Sequence, residues 1–309
     1  MITEANANIV KAKQRRRIRI NNNEALAGYA FITPIILFFL VFSLGPFLFT
    51  IYVSFHDWNM LTPVSEMPYV GFNNYRYILH LDPLFKTALG NTIIFSLGNV
   101  VITMVFSLCL AVLLNTKILF RSFWRAAFFL PYVTSSVAVA IVWSNIYHPS
   151  FGLLNGILAY FHVPAQGYIS DPKQAMASLI TVAVWQGLGY WMIVLLAGLQ
   201  GISKFLYEAA EVDGAGFLDK LFYITIPSLR PTLLFVAVVS TLGSLQTFDL
   251  PFILTGGGPI NMTYTLVMEI YEIAFKFFRM GRASAVAVVL FLLTFTMTLV
   301  QLRMIQGKE

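Results

Sequence analysis

Charge is what this sequence has least of. Only 11% of its 309 residues are Asp, Glu, Lys or Arg, against about 25% in an ordinary soluble domain. Hydrophobic residues make up 58%, with 28 Phe and a mean hydropathy of +0.75. So little polar surface cannot cover a water-soluble globule of this size. A soluble enzyme, a disordered regulator and a nucleic-acid-binding domain are excluded, in spite of a formal charge of +6. Cysteine is nearly absent too: Cys109 stands alone in an apolar run, so no internal disulfide and no multi-cysteine metal frame can form. The chain also lacks a G-x-x-x-x-G-K-S/T phosphate loop, an H-E-x-x-H pair and a G-x-S-x-G elbow. Its four histidines, His56, His80, His148 and His162, fall outside the apolar runs and have no second ligand at H-x-x-x-H spacing. No catalytic group, metal or cofactor is expected.

What is present are apolar runs of bilayer length. A crossing helix needs about 20 mostly apolar residues, and charge-free stretches over residues 25–55, 87–116, 126–147, 174–201, 231–248 and 283–302 meet that need. The expectation is an all-α integral membrane protein of six transmembrane helices, with a basic arm at 1–24 and a membrane domain over 25–309. Threaded with the N-terminus inside, the inner segments carry fourteen Lys and Arg and the outer ones six, of 20 in all. Cytoplasmic loops hold such an excess, so the topology reads N-in/C-in. Basic residues facing anionic membrane lipid account for the net charge without nucleic acid. The first run is too long for a signal-peptide core, and Pro34 and Pro46 predict a kink within it.

One inner connection, residues 201–230, holds four of the fourteen acids: Glu208, Glu211, Asp213 and Asp219. Ser203 is placed to cap a short helix with Lys204, Glu208 and Glu211 along its polar stripe. A turn at Asp213-Gly214-Ala215-Gly216 follows, because glycine supplies the backbone angles a reversal needs. Phe217, Leu218, Leu221, Phe222 and Thr225 then recur at the spacing of one helical face, and Pro227 marks a stop. Small residues at Ala209 and Ala210 permit close approach by a partner. An amphipathic pair resting on the bilayer is the alternative, and the acids weigh against it, since interfacial helices favour Lys and Arg on the polar face.

Glu208-Ala209-Ala210, then Gly214, then Ile224-Thr225-Ile226-Pro227 resembles the EAA loop of importer permeases in the ATP-binding-cassette superfamily, with Ile226 where the pattern has Leu. Phe128-Phe129-Leu130-Pro131-Tyr132, Gly152-Leu153-Leu154-Asn155, Thr255-Gly256-Gly257-Gly258-Pro259, and Phe277-Phe278 with Gly281 and Ala283-Ser284-Ala285 look like the carbohydrate-uptake branch. That branch imports maltose-type oligosaccharides, other sugars or glycerol phosphate. Six spans without a large outer insertion resemble the shorter first permease of such pairs. The resemblance implies a type I permease fold in a prokaryotic plasma (inner) membrane. Its implied partners are a second homologous permease, a cytoplasmic ATPase dimer that hydrolyses the ATP, and an extracytoplasmic solute-binding protein. It implies a coupling role for Glu208, Ala209, Ala210, Gly214, Ile224 and Pro227.

A path for a neutral sugar calls for hydroxyls, amides and aromatic platforms at span depth. Tyr132 and Ser136 fall one turn apart on the third span, and Gln186 and Tyr190 on the fourth, beside Gly187 and Gly189. Ser244 and Thr247 share a face of the fifth. Interhelical hydrogen bonding is the competing use of these groups. Asp249, read as the one acid near a span interior, is expected at the outer mouth as a gate or docking contact, or in a local cap. A stand-alone channel or secondary carrier is the rival function. A proton-coupled carrier draws on intramembrane carboxylates or histidines, and only Asp249 is on offer.

Overall fold

Apolar runs too long for soluble helices become the longest helices of the computed structural model, which describes residues 22–306. The basic arm expected at 1–24 lies outside those residues except for its last three positions. Among the described residues every regular element is helical, and the β-type pairing is an isolated bridge between His56 and Tyr69. The chain divides into two units, Met1–Tyr52 and Val53–Glu309.

The first run forms α1 (Asn22–Phe39), a wide π turn (Leu40–Leu44) and α2 (Gly45–Ser54). Pro34 is accommodated inside α1. The wide turn sits immediately ahead of Pro46, and in it the Leu40 carbonyl accepts the Gly45 N–H. Proline has no N–H and its ring crowds the carbonyl four residues back, a conflict that a π turn relieves.

In the second unit come α3 (Asn73–Arg76), α4 (Phe85–Asn115), α5 (Arg121–Val133), α6 (Ser136–Ile146), α7 (Leu153–Tyr160) and α8 (Ala175–Gln200). They are followed by α9 (Lys204–Val212), α10 (Phe217–Lys220), α11 (Ile226–Ser228), α12 (Arg230–Leu245), α13 (Asp249–Leu254), α14 (Leu266–Tyr271) and α15 (Met280–Gln306). Among the described residues four helical stretches are long and apolar enough to cross a bilayer by themselves: Tyr29–Ser54, α4, α8 and α15. The count reaches six when two bent pairs each make one span.

The first of those pairs corrects the expectation of an unbroken helix over 126–147, while the second bends at Leu229, ahead of the 231–248 run, which forms the single helix α12 as far as Leu245. Between α5 and α6 the chain turns by 98°, because Thr134 and Ser135 are both extended, with ψ of 139° and 132°. Tyr132 and Ser136 therefore stand on different helices, not one turn apart on one. Between the 217–228 segment and α12 the bend is 68°, so Pro227 lies in a bent connection. The second helix ends at Leu245, leaving Thr247 beyond its end.

The 31-residue α4 threads three packed clusters. Phe85 and Ala88 meet Leu245, Leu266, Met268 and Val286 at one end. Phe95 meets Val139, Leu179, Val182 and Leu250 in the middle. Ala111 and Leu114 meet Leu195, Leu199, Leu229 and Val236 at the other end. Buried amides fasten the connections to this frame. Asn91 on α4 donates to the carbonyls of Asn261 and Tyr264 at 2.8 and 3.0 Å. Asn155 bonds Pro149 and Gln166, closing the loop around α7.

Candidate functional site

The break between α5 and α6 opens onto a cavity of about 670 Å³. Non-helical backbone at membrane depth is tolerated where it is buried in protein or lines a cavity, and the Thr134 carbonyl at this break accepts from Gln186 at 3.4 Å. All seven residues singled out for a solute path line the cavity: Tyr132, Ser136, Gln186, Tyr190, Ser244, Thr247 and Asp249. Five helices bring them together: α5, α6, α8, the end of α12 and the start of α13, with Thr247 between the last two.

The Tyr132 ring lies on that of Tyr190 with centroids 4.5 Å apart and planes 14° from parallel. Gln186 donates to the Ser136 hydroxyl at 3.3 Å. Ser244 accepts from Asn99 at 2.8 Å, and Asn99 accepts in turn from Thr103 at 3.1 Å. Part of the polar set thus joins helices. Gln186 nevertheless keeps its amide oxygen, and Ser244 its hydroxyl proton, unengaged within the described chain. Asp249 is exposed, begins α13 and is the one carboxylate of the lining. Everything else there is an uncharged amide, hydroxyl, aromatic or apolar surface.

Sequence reasoning missed Asn99, Trp191 and Gln246, which line the same space. Asn99 carried a legible signal: it is an amide at the middle of the 31-residue α4, at span depth. Gly189 is where α8 and α5 touch, since a Cβ there would fall on the Phe128 carbonyl. Gly187 lines the cavity and has only the Trp191 ring near it, at 3.8 Å.

At the other end of the bundle, α9 closes on a Schellman turn. The Ala215 N–H reaches the Ala210 carbonyl at 2.9 Å and the Gly214 N–H reaches that of Glu211 at 3.1 Å. Gly214 holds φ at +77° with nothing near the Cβ it lacks. Glycine is required there by backbone conformation, not by space. Across the turn Lys220 meets Glu211 at 2.7 Å, and the Tyr207 and Thr225 hydroxyls meet at 2.9 Å. Asp219 accepts the Gly216 N–H at 2.9 Å at the start of α10.

Two details here depart from expectation. Ser203 occupies the N-cap position of α9 but its hydroxyl makes no cap bond, the exposed first-turn donors being open to water. The face expected from Phe217 to Thr225 is also split. Residues Leu221–Thr225 form a π turn, which shifts the helical phase, so Thr225 is buried while Phe217, Leu218 and Phe222 are exposed. Of the six motif residues, Glu208, Ala209 and Gly214 are exposed, and Ala210, Ile224 and Pro227 are half-buried. The Glu208 carboxylate has no partner within the described chain.

Residues 104–307 match the family model described as "Binding-protein-dependent transport system inner membrane component". The probable ABC transporter permease protein YurN of Bacillus subtilis is 36% identical over 294 residues, covering 93% of this chain and 99% of that protein. The trehalose/maltose transport system permease protein MalF of Thermococcus litoralis is 31% identical over 288 residues, covering 92% and 95%. Among solved structures, a chain of a bacterial ABC transporter involved in import of the acidic polysaccharide alginate superposes with a TM-score of 0.80. That match has 22% identity and covers 95% of this chain and 99% of the other, a likeness of fold.

Proposed function

The chain belongs to the family of binding-protein-dependent transport system inner membrane components, and on that footing we propose that it forms half of the translocation path for a sugar or sugar-like solute in an ATP-driven importer. It is a multi-pass membrane permease. ATP is hydrolysed on a separate subunit. The reading places it in a prokaryotic plasma membrane beside a second permease, with an ATPase dimer inside and a solute-binding protein outside.

One observation carries the solute assignment: the cavity joins a stacked tyrosine pair to amides and hydroxyls, with a single carboxylate in its lining. Hydroxyl-rich rings present an apolar face that suits an aromatic platform and an edge of hydroxyls that suits Gln186, Ser136, Ser244 and Thr247. A site with few such groups holds the solute without trapping it. The relative named for trehalose/maltose transport agrees with this class.

The coupling reading rests on the exposed carboxylate of Glu208 and the rigid end of α9. A short helix closed by a Schellman turn and tied across that turn by Lys220 and Glu211 moves as one body. Seated in a groove of the ATPase, it passes closure of the ATPase pair to α8 and α12, the helices on either side of it in the chain.

The test uses Glu208→Trp and Gly214→Val in the whole assembly. Both are expected to cut co-purification of the ATPase and solute uptake together. Wild-type uptake in both variants overturns the coupling reading. Retained ATPase binding together with uptake of a non-carbohydrate solute overturns the sugar reading alone.

A further inference from the structure

A second cavity, of about 500 Å³, lies at the opposite end of α4 from the Gly214 turn, between the segment before α4, the π turn after α14 and the start of α15. Its volume suits a small molecule. Glu269 on α14 lines it with 1% of its surface exposed, and both carboxyl oxygens are buried without a hydrogen-bond partner. An unpartnered buried carboxyl is costly unless a donor reaches it. The neighbouring acids are already engaged. Glu272 takes the Tyr264 hydroxyl at 2.9 Å and Lys276 at 2.6 Å, and Asp82 takes the Leu84 N–H at 3.0 Å.

Arg279 and Arg282 line the same cavity and make no ion pair among the described residues. The Arg282 guanidinium lies 3.7 Å above the Tyr77 ring. Carboxyl and guanidinium groups left unpaired in one space leave room for an occupant that satisfies both.

We propose that this cavity is a binding site for a small zwitterion, whose primary ammonium donates to Glu269 and whose anionic group is held by Arg279 and Arg282. Such a ligand differs in class from the neutral solute of the main cavity, and the site stands apart from it in the fold. Burial, with Asp82 and Glu272 nearby, pushes the Glu269 carboxyl up to about 8. At neutral pH the empty site holds a protonated acid, and an arriving ammonium displaces that proton to form an ion pair. The charged and titratable groups facing Glu269 are Asp82 from before α4, Tyr264 from before α14, Glu272 with Lys276 from the π turn, and Arg279 and Arg282 from the start of α15. Tyr264, itself raised by burial and by Glu272, stays protonated throughout.

The assembled importer in detergent, titrated calorimetrically with γ-aminobutyrate, tests this, with butylamine and butyrate as singly charged controls. γ-Aminobutyrate is expected to bind at least tenfold more tightly than either control. Glu269→Gln is expected to weaken it at least tenfold, and so is Arg279→Gln, at an exposed position where folding is not at stake. Its Kd should fall about tenfold per pH unit up to about pH 8 and then level off. Absence of binding, equal binding of butylamine, or an unchanged Kd in Arg279→Gln overturns the proposal.

Discussion

The backbone of Gly189 rests against the Phe128 carbonyl, so that α8 and α5 meet without an intervening side chain. Gly189→Ala forces the two helices apart, and overpacking of this kind costs about 1–3 kcal/mol. Gly187→Ala, two residues away, meets only the Trp191 ring at ordinary contact distance. Thermal melts of the purified protein should show a clear drop for the first variant and little change for the second.

Tyr132 and Tyr190 form a stacked pair on the cavity wall. Aromatic pairs contribute about 0.5–1.5 kcal/mol beyond burial, so Tyr190→Ala should raise the half-saturation concentration for uptake by roughly 2- to 10-fold. Tyr190→Phe keeps the ring and should stay within about twofold of wild type. A loss in Phe as large as in Ala would assign the effect to the hydroxyl instead of the platform.

Gly214 supplies a left-handed turn with open space around it. Gly214→Ala should cost about 1–2 kcal/mol of local order, and Gly214→Asn less, since asparagine enters that conformation more readily. Amide exchange in α9 is the measurement. Protection should fall in the order Gly, Asn, Ala.

Glu269 gives the protein a pH dependence of definite sign. Its carboxyl titrates at about 8 in the folded chain against 4.5 for a free group, so between those values the folded state holds a proton that the unfolded state has lost. Stability contributed by this group is fully present below about pH 4.5 and falls as pH rises to about 8, at up to about 1.4 kcal/mol per pH unit. Glu269→Gln should flatten that slope in denaturation series from pH 5 to 8. An identical slope in the variant would place the titration elsewhere.

Much of this architecture is legible in the sequence because bilayer-length apolar runs have one way to satisfy their backbone, which is to be helical. The runs at 87–116 and 174–201 become α4 and α8 to within two residues, and that at 283–302 lies inside the longer α15. The seven polar residues of the cavity are legible for a related reason: polar groups at span depth are few and need company. The break at Thr134 and Ser135 is not legible, since neither residue is a strong helix breaker and the turn depends on what packs around it. Glu269 escapes as well. It lies outside the apolar runs, where an acid is expected to be solvated, and only the fold of the 256–277 segment against α4 and α15 buries it.

The 98° corner at Thr134 and Ser135 has a mechanical consequence. Tyr132 and Ser136 are attached on either side of it, so a few degrees of change in the dihedrals there would widen or narrow the chamber while the helices kept their own internal bonding. A chamber whose width changed at these two peptides would leave the dense packing inside each helix and between its neighbours in place.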